Sequence, residues 1–114
     1  MEPMVIIFRA LSDKSRIRII KMLEIRPLCV CEITAVLGLA TSTVSKHLSI
    51  LREAGLISDK KEGKWVNYEL NREQGNGYVR QLLPLLHSWL SDDRVVLQDL
   101  EKVNTIDRNQ LCGI

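Results

Sequence analysis

Two adjoining stretches decide the fold: TSTVSKHLSILREAGL (residues 41–56) and LISDKKEGKWVNYEL (residues 56–70). In the first, Val44, Leu48 and Leu51 recur at i, i+4 and i+7, which predicts a helix with one apolar face. The opposite face carries short hydroxyl and charged side chains, namely Ser42, Lys46, Ser49 and Glu53, flanked by Thr43 and Ser45. Such a face suits a helix in the major groove of DNA, where hydroxyls and lysine reach base edges and phosphates. The alternative is a polar face that only contacts solvent.

A β-hairpin is predicted directly after this helix. Gly55 stands where a helix C-cap is expected, and the runs Leu56–Lys61 and Trp65–Leu70 flank the turn-forming pair Glu62-Gly63. The second run alternates with period two, which is typical of a half-buried strand. Its inward positions are predicted to be Val66, Tyr68 and Leu70.

Three lysines cluster at the tip of this hairpin, Lys60, Lys61 and Lys64. Cations on an exposed turn beside a polar helix can contact the phosphates that flank a groove. The alternative is that they only keep the exposed edge of the hairpin soluble. Helix and hairpin together favour a protein that reads DNA with a recognition helix and a wing.

The size and composition of the chain indicate one globular domain with a modest core. It has 114 residues, of which 46% are hydrophobic and 26% charged, with a formal net charge of +2. Five basic residues fall between Lys14 and Arg26, whereas acidic residues outnumber basic ones five to three from Ser91 onward. We expect a cytoplasmic protein, because the N-terminus lacks the basic start of a signal peptide and no apolar run reaches the length of a membrane span.

The remaining helices are predicted from the periodicity of apolar residues and from helix-breaking residues. A first helix, residues 2–11, is apolar nearly all round, which predicts burial against another element or subunit. A second spans 14–24, with Ile17, Ile20 and Leu23 inward and Arg16, Arg18 and Lys21 outward. A third spans 29–37 and forms a helix-turn-helix with the recognition helix. Helices at 78–90, kinked at Pro84, and at 92–103 precede a polar tail, residues 104–114.

The three cysteines are too few for a disulfide framework and are better interpreted as ligands or sensors. Cys29 and Cys31 form a C-x-C pair at the start of the third helix. Residues two apart diverge by about 200° in a regular helix, so both thiols reach one ion only if the segment is extended or distorted. A helix N-terminus favours thiolates, and thiolates select soft ions. Two buried, inert cysteines remain the alternative.

The combination of PLCVCEI, TSTVSKHLSILREAGL and LISDKKEGKWVNYEL, over about residues 12–70, closely resembles the ArsR/SmtB family of metal- and metalloid-responsive winged-helix repressors, most of all its arsenic-sensing branch. The resemblance implies a homodimer that releases DNA when a ligand binds the cysteine box and distorts the third helix. It assigns Cys29 and Cys31 as inducer ligands and residues 1–11 and 78–103 to dimerisation. The groove-facing residues it implies are Ser42, Thr43, Ser45, Lys46 and His47.

One position departs from the pattern of this family. Many arsenic repressors carry a third cysteine three residues after the second, and here that position is Thr34. Three alternatives stay open: two thiols suffice, Cys112 in the tail supplies the third, or the inducer is a methylated arsenical that makes only two thiolate bonds. The zinc-sensing branch of the family instead uses Asp, His and Glu side chains on the last dimerisation helix. That site is not expected here, because leucine (Leu85) and not aspartate stands two residues before His87.

The sequence therefore predicts a mainly α, dimeric winged helix-turn-helix repressor, and not an enzyme, with As(III) or Sb(III) as inducer. The helix-turn-helix would span residues 29–54 and the wing 56–70. The metal site would use Cys29, Cys31 and Cys112. The DNA interface would use Thr41, Ser42, Thr43, Ser45, Lys46, His47, Ser49, Lys60, Lys61 and Lys64. The alternative function is a repressor of the same fold that responds to thiol oxidation or to another soft metal.

Overall fold

A computed structural model describes residues 1–73 and 76–111 of the chain. Its helices are α1 (Glu2–Leu11), α2 (Lys14–Leu23), α3 (Val30–Leu37), α4 (Thr41–Glu53), α5 (Gly77–Ser88), α6 (Arg94–Thr105) and α7 (Arg108–Leu111). Its strands are β1 (Leu28–Cys29), β2 (Ile57–Glu62) and β3 (Trp65–Leu70), all antiparallel in the order β1-β3-β2. No helix in these two ranges is long and apolar enough to cross a membrane.

Local sequence accounts for where the helices begin and end. The side chains of Asp13, Asn76 and Asp93 cap α2, α5 and α6 by accepting a hydrogen bond from a backbone N–H in the first turn. Gly38 ends α3 with φ of 69°, and Gly55 follows α4 with φ of 79°, a backbone region that glycine adopts without strain. These breaks set the short turn between α3 and α4 and the entry into β2.

The core lies where α2, α3 and α4 meet the sheet. The predicted apolar face of α4 is confirmed, since Val44, Leu48 and Leu51 are each at most 1% exposed. They pack in one cluster with buried residues of the neighbouring elements, among them Ile20 and Ile33. This burial orients α4 and turns its polar face outward.

The β-structure extends beyond the predicted hairpin. Leu28 and Cys29 form a short strand that pairs with Tyr68 and Asn67 of β3, so the predicted start of the third helix at Cys29 was wrong by one residue. The strand was missed because two residues carry no periodic signal of their own. Pairing with β3 therefore fixes the backbone of the first cysteine.

The predicted alternation along β3 is only partly right. Leu70 is buried and Tyr68 is half-buried, but Val66 is 39% exposed and Asn67 is 8% exposed. Val66 lies towards the tip of the hairpin, beyond the core. Asn67 is buried because the C-terminal segment covers the other face of the strand, where the Arg108 guanidinium donates to the Asn67 side-chain oxygen at 3.2 Å.

Lys21 was predicted to face solvent, and this was wrong, because it is 5% exposed. Its ammonium donates to the carbonyls of Leu86, His87 and Trp89 at 2.8, 3.3 and 2.9 Å and pairs with Glu24 at 2.8 Å. The C-terminal carbonyls of a helix lack partners and carry partial negative charge, so a lysine can cap them from another helix. Lys21 thereby ties α2 to the end of α5.

The C-terminal region is also more ordered than predicted. The last long helix spans Arg94–Thr105, and α7 follows within the segment predicted to be a polar tail. Asp99 of α6 is 2% exposed and receives two hydrogen bonds from Arg18, at 2.8 and 2.9 Å. This pair fixes α6 to α2, and α7 packs against α3.

Candidate functional site

The outward face of α4 carries the side chains predicted to contact DNA. Thr41, Ser42, Thr43, Ser45 and Lys46 are exposed, whereas His47 and Ser49 are half-buried. The exposed hydroxyls can donate and accept hydrogen bonds, and Lys46 supplies a cation. The face therefore offers groups that can read base edges without a bulky apolar residue in the way.

His47 is held by Arg16, a contact that the sequence did not predict. An Arg16 guanidinium nitrogen lies 3.1 Å from His47 Nδ1, while Arg16 Nε donates to the Ala10 carbonyl at 2.6 Å. A guanidinium has no acceptor, so Nδ1 must accept, and Nε2 of the neutral ring carries the proton. His47 is thus held against α2 by Arg16, and its Nε2–H remains a hydrogen-bond donor.

The wing places its cations as the sequence predicted, with a shorter loop. Glu62 pairs with Trp65, so the loop consists of Gly63 and Lys64, and Gly63 has φ of 61°. Lys60, Lys61 and Lys64 are all exposed. An exposed ion pair of 3.3 Å between Arg52 and Asp59 joins the end of α4 to β2 beside them.

The two cysteines of the box lie at the junction between β1 and α3. Cys29 is the N-cap of α3 with extended backbone, φ −89° and ψ 169°, and is 3% exposed. Cys31 is exposed in the first turn of α3. Because Cys29 lies outside the regular helix, the divergence of residues two apart in a helix does not separate the two thiols. The extended backbone at Cys29 meets the condition that the sequence set for both cysteines to reach one ion.

The chemistry of Cys29 differs from the predicted ready thiolate. Burial raises the pKa of the Cys29 thiol above its ordinary value of 9.0, and the Glu32 carboxylate raises it further. The backbone N–H groups of Glu32 and Cys31 lower this pKa but do not outweigh burial. The helix N-terminus lowers the pKa of Cys29, as predicted, but desolvation raises this pKa by more. Desolvation depends on the tertiary structure.

Glu32 is a site residue that the sequence analysis missed. It is 2% exposed, accepts a hydrogen bond from the Cys29 backbone N–H at 3.0 Å and pairs with Arg26 at 2.9 Å. Arg26 in turn donates to the Val103 carbonyl of α6 at 3.2 Å. Glutamate three residues after an N-cap is the spacing of a capping box, and this signal was present in the sequence.

Of the three cysteines, Cys29 and Cys31 lie in residues 1–73 and 76–111. Cys112, the predicted third thiol, lies outside the described residues. At the position of the family's third cysteine, Thr34 Oγ1 is buried and has no hydrogen-bond partner within residues 1–73 and 76–111. The same residues contain no cluster of three or more His, Cys, Asp or Glu side chains able to hold a metal ion.

The side chain of His87, on α5, is 74% exposed, and its Nδ1 lies 3.6 Å from the Glu24 carboxylate. Large apolar side chains remain exposed on α1, on α5 and at the two residues that follow α5. These are Met4, Phe8, Tyr78, Leu85, Trp89 and Leu90. Between α1, α2 and α5 lies an almost wholly apolar cavity of about 390 Å³. Exposed apolar surface of this kind is typical of sites that bind another protein, a membrane or a small ligand.

The helix-turn-helix of α3 and α4 and the adjoining β-hairpin define a winged helix-turn-helix DNA-binding protein. The model of the family described as bacterial regulatory protein, arsR family, matches residues 13–59, and the chain belongs to this family. It is therefore a DNA-binding transcriptional regulator, and the expectation that it is not an enzyme is confirmed by this membership.

Individual relatives agree with this assignment. The chain is 35% identical over 106 residues to an arsenical resistance operon repressor of Escherichia coli, covering 90% of this chain and 80% of the relative. It is 34% identical to the arsenic resistance transcriptional regulator ArsR1 of Pseudomonas putida, covering 83% and 77%. Its fold resembles the homodimeric winged helix-turn-helix domain of Mb0332 from Mycobacterium bovis, with a TM-score of 0.64, 24% identity and 75% of each chain covered.

Proposed function

We propose that this chain is a cytoplasmic, homodimeric repressor that leaves its operator when As(III), Sb(III) or a methylated arsenical binds Cys29 and Cys31. The observation that carries the proposal is the position of the two cysteines. They stand where β1 becomes α3, and α3 packs directly against the recognition helix α4. A change of backbone at the cysteines therefore acts on the element that contacts DNA.

Operator binding rests on α4 and the wing. The exposed hydroxyls of α4, together with Lys46 and the His47 N–H, face the major groove in this proposal. Lys60, Lys61 and Lys64 contact phosphates beside it. The exposed apolar side chains of α1 and α5 form the dimer interface, with residues 1–11 and 78–103 as the dimerisation segments. A two-fold axis then places two α4 helices in successive major grooves, about 34 Å apart.

Release of DNA follows from the bonds that Cys29 makes as an N-cap. To bind a soft ion, Cys29 must lose its proton and its sulfur must turn towards Cys31. This movement disturbs the capping box, in which the Glu32 carboxylate holds the Cys29 N–H and pairs with Arg26. The first turn of α3 is thereby displaced and carries α4 with it.

We further propose Cys112 as a conditional third ligand. The support is that α7 packs against α3 and ends at Leu111, the residue that precedes Cys112 in the chain. Much of the entropy of ordering the tail is already lost in folding α7, which lowers the cost of bringing a third thiol to the site. A pair of cysteines alone would instead favour a methylated arsenical with two thiolate bonds.

The test measures operator binding by fluorescence anisotropy while arsenite is added. Cys29→Ser and Cys31→Ser should each keep operator affinity and lose release by arsenite. Cys112→Ser should lose the arsenite response but keep the response to a monomethyl arsenical. Thr34→Cys in the Cys112→Ser background should restore the arsenite response, because it returns a third thiol to α3.

The coupling must also be reciprocal: operator DNA must weaken arsenite binding by the factor by which arsenite weakens operator binding. Release of the Cys29→Ser/Cys31→Ser double variant by arsenite would place the inducer site elsewhere. Release by peroxide but not by arsenite would identify an oxidation sensor instead.

A further inference from the structure

The C-terminal segment of the described chain reaches the wing through one side chain. The Arg108 guanidinium lies 4.7 Å from the centroid of the Trp65 ring and donates to the side-chain oxygens of Asn67 and Glu62, each at 3.2 Å. The Asn67 amide also donates to Glu62 at 3.2 Å. One planar cation thus holds residues from both strands of the wing by stacking and by forked hydrogen bonds.

Two of these three residues, Glu62 and Trp65, lie at the tip of the hairpin, where β1 does not reach. Glu62 and Trp65 form the last pair of the β2–β3 ladder and directly flank the loop that bears Lys64. The third strand, β1, pairs only with Asn67 and Tyr68, nearer the base. A two-stranded hairpin is marginally stable by itself, so the tip needs an external contact to keep one orientation.

Arg108 is anchored on the body of the protein. Ile106, which precedes it by two residues, packs against the hydrophobic core. Asp107 begins α7 by accepting from the Asn109 N–H at 2.9 Å, and α7 packs against α3. The guanidinium is therefore tied to the core at one end and to the wing at the other.

We propose that residues 106–111 act as a brace for the wing, in which Arg108 is a positioning residue that holds Lys64 and its neighbours in the orientation that meets operator phosphates. Arg108 acts through Trp65, Glu62 and Asn67 and does not itself contact DNA. The consequence for DNA rests on the proposed function, whereas the orientation of the wing is a property of the free protein.

The first measurement uses the free protein and needs no DNA. In a Trp89→Phe background, Trp65 is the sole tryptophan, and its quenching by acrylamide, a neutral quencher that nearby charges do not attract, reports how far its ring is covered. Arg108→Ala should increase the quenching constant, and Arg108→Lys should restore it only in part, because lysine keeps the charge without the planar fork. Arg72→Ala, which removes an exposed arginine after the end of β3, is the matched control and should leave the quenching of Trp65 unchanged. Circular dichroism verifies that each variant is folded.

The second measurement is operator affinity as a function of salt. Arg108→Ala should weaken binding about fivefold to tenfold while leaving the slope of log K against log salt unchanged. The lysines still reach their phosphates in the complex, and the variant only adds the cost of orienting the wing. Lys64→Ala should instead reduce this slope by about one contact.

Unchanged Trp65 quenching in Arg108→Ala would overturn the brace. So would a smaller salt slope with unchanged quenching, because Arg108 would then be a phosphate contact. A wild-type protein that shows no salt-dependent DNA binding would refute the proposed function, and the brace would then be decided by the quenching alone.

Discussion

Replacement of Glu32 tests whether the cysteine box depends on its buried capping carboxylate. In the wild type this carboxylate accepts from the Cys29 N–H at 3.0 Å, pairs with Arg26 at 2.9 Å and is 2% exposed. Glu32→Ala removes both contacts, whereas Glu32→Gln keeps the bulk and an oxygen acceptor and removes only the charge.

The two variants should differ in stability by a measurable amount. In Glu32→Ala, the buried Cys29 N–H loses its partner, at a cost of about 1–3 kcal/mol. The substitution also removes one buried methylene, Cγ, which contributes about 0.8 kcal/mol. The Arg26 side chain is 39% exposed, so the ion pair contributes no more than about 1 kcal/mol. The total is about 4 kcal/mol, or a fall in Tm of about 15 °C for a domain of this size.

For Glu32→Gln we expect a loss of only about 1 kcal/mol, because the hydrogen bond to Cys29 is kept and the solvent-screened ion pair is lost. The assay is urea denaturation followed by circular dichroism, at one protein concentration because a dimer's stability depends on it. Equal losses in the two variants would refute the reasoning, since the hydrogen bond to the Cys29 N–H could not then be the main contribution.

The Glu32→Gln variant also tests what raises the pKa of the Cys29 thiol. Burial is the largest cause of the raised Cys29 pKa, and the charge of Glu32 adds to it. Removing this charge in Glu32→Gln should lower the Cys29 pKa and speed its alkylation by iodoacetamide near neutral pH, in a Cys31→Ser/Cys112→Ser background. An unchanged rate would show that burial alone controls this thiol.

Three further predictions concern stability. Asp99→Asn should lower the free energy of unfolding by about 2 kcal/mol in urea denaturation, because Asp99 is buried and accepts two hydrogen bonds from Arg18. The control is Asp92→Asn, at an exposed position, and a loss as small as in this control would contradict the prediction. Gly55→Ala should lower the free energy of unfolding by about 1–2 kcal/mol, because the φ of Gly55 is 79°. Gly77→Ala, at the start of α5, should not destabilise the protein, and equal effects of the two substitutions would contradict the prediction. The folded state holds the Cys29 proton more tightly than the unfolded state, so the stability it contributes is present below the unfolded pKa and lost as pH rises through the folded pKa. Cys29→Ser should therefore reduce the loss of stability as pH rises above 9.0, the ordinary pKa of this thiol, and unchanged pH profiles of the urea midpoint would argue against it.

The sequence by itself determined the elements that rest on short-range periodicity. The spacing of Val44, Leu48 and Leu51 gave the buried face of α4, and hence its polar face, because a helix repeats every 3.6 residues. The two runs around Gly63 gave the wing and its exposed lysines. The C-x-C motif and its surroundings identified the family and the candidate inducer site, although not the capping role of Glu32.

Only the tertiary structure decided which polar side chains became buried and what they hold. Arg18 meets Asp99 and Arg16 meets His47 across 81 and 31 residues of chain, and Arg108 meets Asn67 across 41. No local sequence pattern predicts such pairs, because each depends on how helices and strands pack. Packing also decides whether a charged group or a thiol stays hydrated. The sequence therefore predicted a thiolate at Cys29 from the nearby helix terminus, and desolvation by the assembled core made that thiol harder to ionise.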